Sequence, residues 1–397
     1  LGMSPISGAT VTISYTGDPD SPMETLTTDE SGQTPEINLK APPRELSLTP
    51  DITEQPYSEY NIQVTAEGFE TVLVSGSEIL AGAYSLQPIR MNPLDVTEEE
   101  EKVVVIPPHT LFGEYPPKIP EEEIKPMNET GEIVLSRVVI PEYVIVHDGD
   151  PEDPTARNYW VRYKDYIKNV ASSEIYPTWS ESAIYANILV IQSFTLNRVF
   201  TEWYRGKGYD FTITSSTAYD QKWIYGRNVF EEIDYLVDSI FTNYLSRPGV
   251  RQPIFTSYCD GNRTTCRGLS QWGSQSLAEQ GYSAIDIIHY YYGNDMYINS
   301  ADIISGVPSS WPGYDLTIGS SGEKVRQLQQ QLNRIARNYP AIPTLIPDGI
   351  YGPDTADAVR MFQKIFHLPQ TGIVDYPTWF EISDIYVGVT RISEPDV

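Results

Sequence analysis

Near the start of the chain, apolar and polar residues alternate with a period of two. Ala9-Thr10-Val11-Thr12-Ile13-Ser14-Tyr15 and Tyr60-Asn61-Ile62-Gln63-Val64-Thr65-Ala66 follow it fully, and Thr71-Val72-Leu73-Val74 follows it in part. This is the pattern of strands with one buried face. Gly17-Asp18-Pro19, Ser31-Gly32 and Glu67-Gly68 supply turns between them. Residues 1–92 are therefore expected to form an all-β unit, a small sandwich. After about residue 155 the period becomes helical. Tyr163, Tyr166, Ile167 and Val170 share one helix face. A second helix is expected from an N-cap at Ser180, with Glu181 in its first turn, through Ile184, Ile188, Ile191, Leu196 and Val199 to Tyr204, where Gly206 stops it. A third is expected over 229–245, and a fourth over 274–292 with a break near Gly281. A last unit, 314–385, carries two amphipathic stripes: Val325, Leu328, Leu332, Ile335, then Val359, Phe362, Phe366. Within it Gly349-Ile350 before Thr355 echoes Gly372-Ile373 before Thr378, a small internal repeat.

Between these parts the pattern disappears. Pro107, Pro108, Pro116, Pro117, Pro120 and Pro126 lie among the acidic runs Glu98–Glu101 and Glu121–Glu123. Proline removes donors and like charges repel, so 93–140 reads as an extended acidic linker. The apolar stretch Ile133 to Pro141 at its end could pair as a strand with the domain that follows, 141–305.

Composition narrows the partner. With 54 acidic against 27 basic residues and a net charge of −27, a nucleic-acid backbone or an anionic lipid surface is disfavoured. Aromatic residues make up 12% of the chain, including 28 Tyr and 7 Trp. That suits a neutral polymer met through ring faces, although any single Tyr is more often half-buried surface. No apolar run reaches the length of a membrane span. The chain opens at Leu1-Gly2-Met3, which reads as an internal start, so a preceding segment is expected. Cys259 and Cys266 flank a short loop, and a disulfide is the expectation in an oxidising compartment. Zinc would need two more ligands, and His289 is the nearest histidine; neither metal nor other cofactor is expected.

Three resemblances give the units identities. Gly8 to Ile13, Thr28-Asp29-Glu30-Ser31-Gly32 and Val64 to Phe69 resemble the transthyretin-like or carboxypeptidase-regulatory-like β-sandwich. Ile318-Gly319-Ser320-Ser321-Gly322-Glu323-Lys324-Val325, Leu328-Gln329, Asp348 to Thr355, Ala358-Val359, Phe362-Gln363 and Thr371-Gly372-Ile373 through Thr378-Trp379 resemble the three-helix peptidoglycan-binding module. That resemblance implies a shallow groove near the Asp348–Thr355 loop, with Tyr351 and Gln363 as candidate contacts. Tyr166-Ile167, Val170 to Trp179 and Ser182-Ala183-Ile184, with Gly268-Leu269-Ser270-Gln271-Trp272-Gly273 and Ile287 to Gly293, resemble the SpoIID/LytB superfamily of stage II sporulation protein D. There the glutamate at the position of Glu174 is the acid/base of a lytic transglycosylase. The match carries over to Glu174 alone; Tyr176, Trp179, Ser270, Gln271 and Tyr258 are further candidate sugar contacts, although a packing turn explains Ser270 and Gln271 equally well. The chain departs from the family on its second helix, at Ala186-Asn187-Ile188 and Gln192-Ser193-Phe194, and at Cys266-Arg267 before the Ser-Gln pair.

The order of units resembles the SleC-type spore cortex-lytic enzymes, a multidomain architecture with a β-sandwich, a mainly helical α+β domain and a three-helix module. This implies peptidoglycan glycan strands as substrate, an extracytoplasmic spore location and activation by a germination protease that cuts near Ser136 to Glu142. The local chemistry of Glu174 agrees. Pro177 biases Tyr176 away from helix, which places Glu174 at a helix C-terminus. The unpaired carbonyls there and the apolar neighbours Ile175, Tyr176 and Trp179 favour a protonated carboxyl. A commoner reading of any Glu at a helix end is an ordinary exposed residue. Glu181, Glu202, Asp210 and Asp220 show no comparable setting. A hydrolase of the usual kind needs two carboxyls, whereas a lytic transglycosylase needs one. A cortex glycoside hydrolase, a wall-binding protein or amidase enhancer without catalysis, and a wall-anchoring protein that has lost activity are the competing readings.

Overall fold

The computed structural model describes residues 4–94, 101–125, 138–303, 312 and 314–390. In the N-terminal unit, β1 (Thr10–Tyr15), β2 (Asp18–Thr27), β3 (Ser58–Thr65) and β4 (Thr71–Ile79) are joined by antiparallel ladders in the order β2-β1-β3-β4. A short β5 (Ser85–Leu86) leaves this sheet and pairs with the central domain. β6 (Glu101–Val105) then returns as a parallel edge strand beside β4. The described strands of this unit, β5 apart, thus lie in one five-stranded sheet, and a second sheet of the expected sandwich is not among them. The sheet buries its apolar side chains in two ways. Val11, Ile13, Tyr60 and Val64 pack beneath its own loop at Ile37 and Leu39. Val72, Val74, Val104 and Ile106 pack on Ile224 of the central domain.

The central domain is built around α2 (Glu181–Phe200), a helix buried on nearly every side. It follows β7 (Val139–Ile140), β8 (Tyr143–His147), β9 (Asn158–Arg162) and α1 (Tyr163–Glu174). A helix buried all round must satisfy its polar side chains internally. The Asn187 Nδ2 donates to Ala183 O and Ser274 Oγ, and Gln192 Nε2 donates to Ile240 O. α2 ends at Phe200 rather than Tyr204, and Glu202 then takes a positive φ of 47°. The third expected helix is shorter: β10 (Ile213–Thr214) and β11 (Val229–Phe230) precede α3 (Glu231–Ile240). Its expected C-terminal turn is instead β12 (Asn243–Ser246). Next come β13 (Tyr258–Cys259), β14 (Leu269–Ser270), α4 (Gln271–Glu279), α5 (Ala284–Tyr292) and β15 (Tyr297–Ser300), the last antiparallel to β12. The break between α4 and α5 falls at Gly281, as expected.

Val139–Ile140 pair in parallel with β16 (Asp302–Ile303), so the expected strand exists in its final residues; Ile133 to Arg137 lie outside the described residues. The C-terminal unit comprises α6 (Glu323–Ala336), α7 (Pro353–Ile365) and α8 (Tyr376–Thr390) around a core of its own. It docks on the central domain through ion pairs Arg162–Asp384 and Lys164–Glu381 and through Phe380 against Phe241. No helix among the described residues is long and apolar enough to cross a membrane.

Candidate active site

α1 delivers Glu174 at its last turn, and Ile175 immediately leaves helical geometry (φ −136°, ψ 154°). The residue is 0% exposed. One carboxylate oxygen accepts from the Lys222 backbone N–H (2.7 Å) and the other from Gln271 Nε2 (3.1 Å). The Tyr258 hydroxyl faces the same carboxyl, close enough to favour its charge, without a well-formed hydrogen bond. Burial raises the Glu174 pKa above the ordinary carboxylate range. The Lys118 ammonium, the Lys222 N–H, Tyr258 and Gln271 pull it back in part.

Gln271 reaches Glu174 because of the turn before it. Gly268 has φ +103°, and a Cβ there would meet the Ser257 carbonyl oxygen at 1.9 Å. Only glycine lets β14 approach β13 this closely. Ser270 caps α4 by accepting from Gly273 N (2.9 Å), so it holds the turn, and Gln271 follows pointing inward. Tyr176 and Trp179 form an aromatic cluster with Trp272, the latter two rings 5.0 Å apart.

Residues 107–125 of the segment expected as an extended linker lie across this site as a strap. His109 stacks on Tyr176 (4.4 Å), and Thr110 donates through both N–H and Oγ1 to Ser173 O. Tyr115 is buried and its hydroxyl has no partner among the described residues; of the charges acting on it, Glu174 acts most strongly. The Lys118 ammonium donates to the Asp220 carbonyl oxygen (2.6 Å). Further on, Glu121 forms a two-pronged pair with Arg198 (2.6 and 2.9 Å), and Glu123 pairs with Arg247. The physical reason for the difference is plain. A proline-rich chain needs few ladder bonds, and the acidic residues that would repel one another are neutralised by arginines of the central domain.

The N-terminal unit adds a second cover. Trp179 Nε1 donates to Ser47 O (3.0 Å), Arg44 donates to Thr178 O (2.7 Å), and Glu78 forms a buried two-pronged pair with Arg227. The candidate sugar contacts Tyr176 and Trp179 are thus brought beside Glu174, but lie under these covers.

The disulfide Cys259–Cys266 is present, with Cα atoms 6.1 Å apart. Inside its loop the Asp260 carboxylate accepts from the N–H groups of Arg263 (2.8 Å) and Thr264 (2.9 Å). The ordered loop in turn holds the strap. Arg263 donates to Phe112 O and Gly113 O, and Thr264 Oγ1 donates to Tyr115 O.

Of the other carboxylates, Asp220 is buried and taken up by Arg198, Tyr204, and the Thr214 N–H and hydroxyl. Asp210 accepts from Asn158, and Glu181 lies in the first turn of α2. None of these is placed against Glu174. In the C-terminal unit the candidate contacts point inward. Tyr351 is 1% exposed and its hydroxyl donates to Gly372 O; Gln363 is equally buried and its amide is spent on the Thr371–Thr378 turn. Both hold the loops, and neither reaches the surface. Sequence reasoning missed Tyr115 and Lys118, whose only signal was an aromatic and a basic residue interrupting an acidic proline run.

No curated protein matches this chain. Residues 321–380 match the family model described as "Putative peptidoglycan binding domain", which associates the protein with the bacterial cell wall.

Proposed function

We propose that the protein is a peptidoglycan lytic transglycosylase that uses Glu174 as its single acid/base and is made as a pro-enzyme. The observation that carries this reading is one desolvated carboxyl, held by Gln271 and the Lys222 N–H with no second carboxylate placed against it among the described residues, in a chain that also bears a peptidoglycan-binding module. Burial favours the protonated form that must be donated to a glycosidic oxygen. Glu174 protonates the oxygen leaving the muramic acid carbon, and the bond between that carbon and oxygen breaks. The carboxylate then takes the proton of the sugar's own C6 hydroxyl, whose oxygen closes on the same carbon. The product is a 1,6-anhydro end, and the glutamate recovers its proton.

The pro-enzyme part rests on the strap and the N-terminal unit, which together seal Glu174, Tyr176 and Trp179. Within the expected cleavage window, Ser136 and Arg137 lie outside the described residues, and Val138 and the two residues of β7 that follow it are buried. A cut on the N-terminal side of Val138 leaves β7 intact and frees the strap at one end. The setting we propose is a spore, with cortex as substrate and a germination protease as activator.

The same burial also favours a second reading, a wall-binding protein or amidase enhancer in which Glu174 never meets substrate. Peptidoglycan digested by the cleaved protein and analysed by mass spectrometry separates the two. Anhydro ends are expected; free reducing ends would point to a hydrolase, and no products to the second reading.

A further inference from the structure

The Lys118 ammonium occupies a site whose walls do not all belong to the strap. It donates to the Asp220 carbonyl oxygen (2.6 Å) and stands 4.7 Å from the Tyr258 ring centroid, with Phe194 at 5.8 Å and the strap's own Tyr115 at 6.0 Å. Of the opposite charges that act on it, Glu174 acts most strongly, followed by Asp220. Asp220, Tyr258, Phe194 and Glu174 all sit in the central domain. When the strap leaves, the domain keeps the carbonyl acceptor and the tyrosine face that meet the ammonium, within the field of the Glu174 carboxyl. A primary ammonium needs this set: an acceptor for its N–H, a ring quadrupole, and an anion. An acetamido nitrogen offers one donor and no charge, and so satisfies it poorly.

We infer that the pocket beside Glu174 is a primary-ammonium subsite, filled by Lys118 in the intact chain and open, once the strap is displaced, to a free amine of the wall polymer. The amine belongs either to a de-N-acetylated hexosamine or to the side chain of a diamino acid in a stem peptide. The pocket itself follows from the geometry; its use on the wall rests on the function proposed above.

Two measurements test it. In the full chain, Lys118→Ala removes the ammonium and leaves its walls. Ethylammonium is expected to raise the melting temperature of this variant and leave that of the wild type unmoved, while tetramethylammonium, which has no N–H, gives no rise. An equal response of both proteins, an equal response to both cations, or no response at all would overturn the subsite. Should the variant fail to fold, the wild-type chain cleaved before Val138 and freed of its strap carries the test. Its affinity is measured by calorimetry for glucosamine oligosaccharides against N-acetylglucosamine oligosaccharides, and for a lysine-bearing stem peptide against its side-chain-acetylated form. A preference of about tenfold for the free amine is expected in one arm, which identifies the source. No preference in either arm overturns the inference. A preserved preference without any lytic product overturns the catalytic reading alone.

Discussion

Gln271 in the central domain and Gln329 and Gln363 in the C-terminal module are all buried beside loops, yet they are used in opposite ways. Gln329 donates to Asp348 Oδ1 (3.0 Å), Ile350 O (3.0 Å) and Thr355 Oγ1 (3.2 Å), and accepts from Gly349 N (2.9 Å). Gln363 repeats the arrangement on Thr371, Ile373, Thr378 and Gly372 N. In both loops the accepting contact comes from a glycine with positive φ, 79° at Gly349 and 67° at Gly372. Each amide closes its loop completely. Gln271 donates to Glu174, and its own Oε1 has no partner among the described residues; the buried Tyr258 and Tyr115 hydroxyls, on which the Glu174 charge acts, are equally unsatisfied there. Buried polar groups that are fully paired stabilise a structure, whereas a cluster of unpaired ones around a carboxyl costs stability and needs another reason. The contrast separates a scaffold from a site without reference to any relative.

The largest effect that could break this contrast is at Glu174. Glu174→Gln is expected to lower the release of anhydro ends by about 10²- to 10⁴-fold, since an amide cannot donate the required proton. The variant is expected to melt no lower than the wild type. The folded-state pKa of Glu174 lies above the unfolded value, so the folded chain holds that proton more tightly. This contribution is full below the ordinary carboxyl range and is lost as pH rises through the raised value. The rate of the cleaved wild type is expected to fall as pH rises and the acid form disappears. A wild-type rate in the Gln variant, measured by mass spectrometry of digested wall, would remove Glu174 from catalysis.

Next in size are the glutamines themselves. Gln329→Ala leaves the buried Gly349 N–H without its acceptor and removes the donor shared by Asp348, Ile350 and Thr355, and is expected to destabilise the module by about 1–3 kcal/mol, read by thermal unfolding. Turnover of short soluble glycan by the cleaved protein should stay unchanged. Gln271→Leu should behave inversely: a small change in melting temperature, because one amide atom already lacks a partner, and a rate lowered about tenfold, because Glu174 loses a charged-group hydrogen bond. If both variants lose stability alike and activity alike, the distinction between scaffold and site fails.

How much of this was legible depended on whether the determining contacts were local. Glu174, the aromatic turn after it and the Ser270-Gln271 pair lie in short segments whose spacing carries the message, and Gln271 meets Glu174 in the fold. The module's helices were equally readable from their stripes. The strap was not. Prolines and glutamates read alike whether a segment is solvated or docked, and what decides is Arg198, Arg247 and Arg263, all far along the chain. The broken third helix has the same cause: Asn243–Ser246 pair with Tyr297–Ser300, and a non-local ladder overrides the helical period. For Tyr351 and Gln363, the motif marked the right loop but could not say which way a side chain points.

The smallest expected effect concerns the outside of the loops that Gln329 and Gln363 hold. Their buried amides leave other side chains to meet the wall, and several of those on the surface are large and apolar. Ile346 is 81% exposed, Ile350 59%, Ile318 57% and Ile373 36%. Ile350 and Ile373 occupy the same place in the two repeats, directly after the positive-φ glycine, and a bridge between Ser321 and Ile350 ties the first of them to the chain entering α6. Apolar residues gathered on a surface in this way commonly mark a binding face, and a sugar ring or an alanine methyl of a stem peptide can pack on them. Replacing Ile346 and Ile350 together by serine touches no core contact, so stability should stay within about 0.5 kcal/mol of wild type. The fraction of protein that co-sediments with purified peptidoglycan should fall severalfold. Gln329→Ala would lower that fraction only in proportion to unfolding, so the ratio of lost binding to lost stability distinguishes a contact residue from a loop staple. Undiminished co-sedimentation of the double serine variant would move the binding face elsewhere on the module.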